Sequence, residues 1–250
     1  MYAITHPVTS RQLFRLCYSN YFRLYRRLWQ AAILMAVVLE LIKVIPQSNL
    51  SLRIVFDLAA FVLFSCVINI ILLLTNDAIS FRSTSWLGIF KRSVRRLLPS
   101  MLVIIISVVI IALVIAVVLR LVSVFHVSNK GFGMFVFSLI VALVAAGAAL
   151  FSSALPLVVI DNCRLFQSVP RSLRLARPYP YRCLTLYLIS AVSILLMQIF
   201  TSLDFVRSVW FLSLVVKAVC LSVFFPLLFG YYLFLFADLK VRDAILEAAE

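Results

Sequence analysis

Acidic and catalytic side chains are what this sequence has least of. Nine aspartates and glutamates and two histidines occur in 250 residues. His6 stands near the start and His126 after the third apolar run. Neither has an acid or cysteine at ligand spacing, which argues against a histidine metal site. Glycine is as rare, with five residues. There is no Gly-rich phosphate loop and no Gly-x-Ser-x-Gly elbow. Ser152 and Ser153 lack a His or Lys to activate them, so bonding to backbone or to a neighbouring helix is the simpler role. Catalysis needs convergent polar groups, and without them the sequence predicts no enzyme, no cofactor and no metal. Of the five cysteines, Cys17, Cys163 and Cys183 fall near basic segments, and Cys66 and Cys220 fall within apolar runs. No disulfide is expected from that placement.

Apolar side chains fill the space that polar ones leave. The chain is 65% hydrophobic with a mean hydropathy of +1.15, and charged residues make up 13%. Soluble domains are about 45–50% apolar and about 25% charged. Six apolar runs, 30–46, 54–75, 98–119, 132–159, 183–203 and 208–236, approach or exceed the roughly 17–25 residues that cross a bilayer. Each must satisfy its own backbone in hydrocarbon, so each is predicted to be a helix. The first run follows a long Arg- and Tyr-rich segment and has no small-residue cleavage site after it, which predicts that this span stays in the mature protein. The expected fold is a single all-α membrane domain over 1–250 with six transmembrane helices.

The net charge of +14 suggests nucleic acid until its placement is considered. Seventeen of the 23 basic residues fall before run one, between runs two and three, between runs four and five, and after run six. Lys43, Arg53, Arg120, Lys130 and Arg207 fall in the alternate loops, and Lys217 lies inside run six. Such an asymmetry is what orients a membrane protein, and it puts both termini in the cytoplasm. No nucleic-acid partner is implied.

The basic segments also repeat. In 11–29, 86–102 and 163–184 an aliphatic residue precedes Phe: Leu13-Phe14, Ile89-Phe90 and Leu165-Phe166. On a helix Arg11, Arg15, Arg23, Arg26 and Arg27 oppose an apolar and aromatic face. Lys91, Arg92, Arg95 and Arg96 do the same in the second segment, and Arg164, Arg171 and Arg174 in the third. Such helices lie in the interface with their cations toward anionic phospholipid headgroups. Runs two, four and six each end on an aspartate, Asp77, Asp161 and Asp238. Asp77 and Asp161 are expected to cap the helices that follow. The pattern predicts three parallel repeats of an interfacial amphipathic helix plus a helical hairpin, over 9–77, 78–161 and 162–238, with a short cytoplasmic tail at 239–250. Periodic basic loops without a true repeat are the alternative.

Asp161, Phe166, Ser168, Ser172, Arg174 and Leu175 follow the spacing D-x4-F-x-S-x3-S-x-R-L, with Pro156 upstream. In this the chain resembles the YciC-like bacterial inner-membrane proteins. More distantly it is similar to the membrane domain fused to some glycerophosphodiester phosphodiesterases. The resemblance implies a multi-pass inner-membrane protein with no established biochemical activity, and it supplies no catalytic residues. Pro170, Pro178 and Pro180 depart from the family pattern. Pro170 fits either the first turn of a helix starting near Ser168 or a kink in a longer one.

Inside the spans three features stand out. The small-residue run 142–156 reads as a central packing helix, with a translocation path kinked at Pro156 and Pro226 as the alternative. Asn69 reads as an interhelical hydrogen bond. Lys217 lies roughly 14 Å in from residue 208, and Glu40 roughly 9 Å in from Pro46 on the same side, at about 1.5 Å per residue. They form a buried pair, or Lys217 snorkels outward, or the site carries an ion or proton. The expected role is non-enzymatic, organising lipid or a membrane-protein partner; the competing role is transport of a small or amphipathic solute.

Overall fold

The computed structural model describes residue 4 and residues 6–41, 50–82, 84–124, 153–202 and 210–249. All regular structure in them is helical: α1 (Ser10–Ser19), α2 (Tyr21–Leu41), α3 (Leu50–Ile79), α4 (Trp86–Val124), α5 (Ala154–Val159), α6 (Leu165–Ala176), α7 (Pro180–Ser202) and α8 (Trp210–Ala249). Four of them, α3, α4, α7 and α8, contain stretches long and apolar enough to cross a membrane. Most of the run 132–159, with its small-residue stretch, lies outside the described residues.

Helix α8 is the organising element. It packs most extensively on α2, then on α7, α1 and α3, while α2 continues onto α3 and α3 onto α4. The short α5 packs on α4 and α6. The core is thickest where α1 and α2 meet α8, with Leu13, Leu24 and Leu28 against Tyr231, Phe234 and Leu235. Gly230 makes that approach possible. A Cβ there would lie 2.7 Å from Leu24 Cδ1 and 3.0 Å from Cys17 Sγ, inside the reach of any van der Waals contact. Away from this core, large apolar side chains such as Val108, Leu113, Leu188, Leu195 and Phe211 face outward. So continuous an apolar exterior belongs in lipid, and the chain is a multi-pass membrane protein.

Local sequence explains the breaks. Thr9 and Gln12 form a capping box that starts α1: the Gln12 N–H donates to Thr9 Oγ1 at 3.3 Å, and the Thr9 N–H donates to Gln12 Oε1 at 2.7 Å. Asn20 ends it by donating from Nδ2 to the Leu16 carbonyl at 2.9 Å. The basic segment 11–29 is therefore two helices rather than one. The second segment departs from expectation in the opposite sense. It has no helix of its own and forms the first turns of the 39-residue α4, with Pro99 inside that helix. At about 1.5 Å per residue α4 and the 40-residue α8 run to roughly 60 Å, twice a ~30 Å hydrocarbon core. The expected tail at 239–249 is likewise a continuation of α8.

Pro226 lies inside α8 and has no N–H to donate to the Ser222 carbonyl one turn earlier. Side chains of α1 and α2 bond to other α8 carbonyls nearby. Tyr21 Oη donates to the Val223 carbonyl at 3.2 Å, and Cys17 Sγ donates to those of Pro226 and Leu227 at 3.6 and 3.4 Å. Pro170 lies inside α6, which starts at Leu165, so the longer helix is the one formed. Pro180 takes the first position of α7, where its missing N–H costs nothing. Pro156 is in the first turn of α5.

Candidate functional site

At the end of the bundle where the basic segments gather, three aspartates hold basic side chains. Asp238 is fully buried and accepts Arg182 Nη1 at 2.6 Å and Arg242 Nε at 2.9 Å. Its other oxygen accepts the Val8 backbone N–H at 2.8 Å. Both guanidinium groups also donate to the Val8 carbonyl, at 2.7 and 3.0 Å. The segment before α1 is thus clamped on both of its backbone groups to α7 and α8. Asp161 accepts Lys240 Nζ at 2.8 Å. Asp77 accepts Arg92 Nη2 at 3.3 Å, while its Oδ1 is buried without a hydrogen-bond partner.

Asp77 and Asp161 do not cap the helices that follow them. Asp77 lies inside α3, whose end is a Schellman turn. Phe81 takes the left-handed conformation (φ 58°), and the Arg82 N–H closes on the Asp77 carbonyl at 2.9 Å. A carboxylate in a last helical turn opposes the helix dipole, and Arg92 from α4 offsets that. Phe81 is costly in this conformation, and the Arg23 guanidinium stacks 3.5 Å above its ring. Asp161 precedes the left-handed residue Asn162 (φ 62°). The N-cap of α6 is Arg164, with no side-chain cap bond.

The twelve basic residues of the expected lipid surface are placed unevenly. Arg11, Arg15, Arg26, Lys91, Arg95, Arg164 and Arg171 are exposed, whereas Arg23, Arg27, Arg92 and Arg96 are half-buried. Arg174 is exposed but bound, to Asp243 at 3.2 Å and Glu247 at 2.7 Å on the extension of α8. Beside the arginines of α1 and α2 runs a stripe of exposed aromatic rings, Phe14, Tyr18, Phe22, Tyr25 and Trp29, spaced three or four residues apart. The D-x4-F-x-S-x3-S-x-R-L residues separate by face: Ser168, Ser172 and Leu175 are buried, and Phe166 is 86% exposed.

A second polar group lies within the apolar part of the bundle. Lys217 of α8 donates to Glu40 Oε1 of α2, and Ser213 Oγ donates to the same oxygen at 2.8 Å. Both charged side chains are almost wholly buried. Glu40 and Lys217, matched by depth in the sequence, are thus in contact. Between α3 and α4, Asn69 Nδ2 donates to Ser100 Oγ at 2.8 Å.

Sequence reasoning did not single out Arg82, Arg182, Arg242, Ser213 or Ser100 as site residues. Only the regular spacing of the terminal aspartates hinted at Asp238. Among the described residues no three His, Cys, Asp or Glu side chains cluster as metal ligands would.

Helix content, apolar exterior and long spans together define an all-α, multi-pass membrane protein. No protein-family model, curated protein or solved structure matches the chain.

Proposed function

We propose that this chain is a six-span bacterial inner-membrane protein, with both termini in the cytoplasm, that organises anionic phospholipid or a membrane-protein partner through its basic end and catalyses no reaction. The observation that carries this reading is the arrangement of α1 and the start of α2. Exposed Arg11, Arg15 and Arg26 stand beside the exposed rings of Phe14, Tyr18, Phe22, Tyr25 and Trp29. Aromatic rings with one apolar body and cations with long stems prefer the headgroup level. The asymmetry of the basic loops supports the orientation. The resemblance to YciC-like proteins around Asp161 to Leu175 supports the bacterial inner membrane. The aspartates that end the three units, Asp77, Asp161 and Asp238, each hold a basic side chain, which supports three parallel units.

A polybasic surface gains about 1 kcal/mol per Lys or Arg near an anionic leaflet. Native lipid patches extracted with the full chain should be enriched in anionic phospholipid over the bulk membrane. Joint replacement Arg11→Gln, Arg15→Gln and Arg26→Gln should remove most of that enrichment. A patch of bulk composition, unchanged by the replacements, would refute the reading. The buried Glu40–Lys217–Ser213 group favours a second reading, a carrier for a small or amphipathic solute. Solute flux in proteoliposomes that Glu40→Gln abolishes would replace the first reading with this one.

A further inference from the structure

Where the last turns of α3 meet the first turns of α4 and the end of α5, the structure encloses a cavity of about 200 Å³. It is unlike the bundle's apolar grooves. Four arginines line it, Arg82 from the α3–α4 connection and Arg92, Arg95 and Arg96 from α4, together with Asn76 of α3. Leu73 and Val159 add apolar wall. A single water needs about 10–15 Å³ of such space, so a tetrahedral oxyanion has ample room.

The charge of the site is uncompensated. Asp77 holds Arg92 at 3.3 Å. Among the described residues no carboxylate lies within ion-pair distance of Arg82, Arg95 or Arg96. Nor, among the described residues, do those three side chains or the Asn76 amide make a hydrogen bond. Elsewhere at this end the arginines near a carboxylate are bound to it: Arg174, Arg182 and Arg242 all are. Several like charges gathered around one cavity repel each other unless an anion joins them. Guanidinium forks match the paired oxygens of a phosphate.

We propose that this cavity is a binding site for a phosphate group carrying two negative charges, either the monoester phosphate of a lipid headgroup or inorganic phosphate. With Arg92 neutralised by Asp77, three cations remain for the ligand. That balance favours a monoester, whose charge at neutral pH is about −1.5 to −2, over the singly charged diester of ordinary phospholipids. Asn76 supplies a neutral donor, and Arg92 is oriented from behind by Asp77. The lipid source rests on the reading above, that this end of the bundle lies at the headgroups; the inorganic source does not.

The test uses the full chain in phosphatidylcholine nanodiscs. Inorganic phosphate is titrated in one arm. In the other the discs are doped with phosphatidic acid or with phosphatidylglycerol, and bound lipid is counted by native mass spectrometry. One saturable site is expected, filled by phosphatidic acid ahead of phosphatidylglycerol, by inorganic phosphate, or by each in competition with the other. Which arm saturates identifies the source. Arg82→Gln, Arg95→Gln and Arg96→Gln break no side-chain bond among the described residues, so folding should survive. Each should weaken binding about tenfold or more, the usual loss for a hydrogen bond to a charged group. Arg95→Lys keeps the charge without the fork and should restore only part of the affinity. Absence of saturable binding in both arms, equal affinity for the two lipids, or variants that bind like the wild type would overturn the site. If those variants bind normally while the α1–α2 replacements abolish anionic enrichment, the cavity proposal fails and the organising role stands. The reverse pattern leaves the cavity and removes the role.

Discussion

Replacing Lys217 with methionine tests the buried pair between α2 and α8. The substitution keeps the length of the side chain and removes its ammonium. Glu40 then loses its ammonium partner and keeps the hydrogen bond from the Ser213 hydroxyl. Removing one partner of a buried ion pair costs about 3–5 kcal/mol. At about 2–4 °C per kcal/mol for a chain of this length, the midpoint should fall by roughly 6–20 °C in a detergent-solubilised melt followed by helical circular dichroism. Adding Glu40→Gln removes the stranded charge and should restore most of the loss. If the two single losses simply add, or if Lys217→Met melts with the wild type at every pH, the residues do not stabilise one another and the reasoning is wrong.

Asp238→Asn leaves Arg182 and Arg242 without their shared carboxylate and should cost about 3–5 kcal/mol. It should also free the Val8 segment, so tryptic cleavage at Arg11 should accelerate; unchanged cleavage would show that the clamp does not hold the segment. Burial pushes the Cys17 thiol from its ordinary 9.0 up to about 12. It should stay neutral and label slowly with maleimide at pH 8, well after the more exposed Cys163. Because its folded value is the higher one, the stability it contributes is complete below about pH 9 and is lost as pH rises towards about 12. Rapid labelling of Cys17 in the folded protein would contradict its burial beneath α8.

Long apolar runs were legible because hydrocarbon leaves the backbone few choices, and α3, α4, α7 and α8 cover four of the six predicted runs. Glu40 and Lys217 could be matched by depth, since helical rise converts residue number into distance. What misled the reading was local. Asp77 looked like a cap because it follows an apolar run. A left-handed phenylalanine, which no propensity favours, lets α3 run two residues further and puts Asp77 inside it. The segment 86–102 looked like its two counterparts, yet nothing in it stops a helix: Pro99 is tolerated within α4, whereas Asn20 does end α1. The four-arginine cavity was invisible in the sequence because Arg82 and Arg92, Arg95 and Arg96 meet across the α3–α4 turn beneath α5, and linear spacing does not show which side chains converge.

The clasp between α2 and α8 also sets an order of events during biosynthesis. Glu40 and Lys217 are 177 positions apart. At about 5–20 residues per second, the ribosome needs roughly 9–35 s to make the second after the first. Throughout that interval Glu40 lacks the Lys217 ammonium and the Ser213 hydroxyl that meet it in the folded bundle. The packing of α2 is provisional until α8 emerges, and a chain that stalled before Lys217 would leave the α2 face that α8 covers open to quality-control proteases.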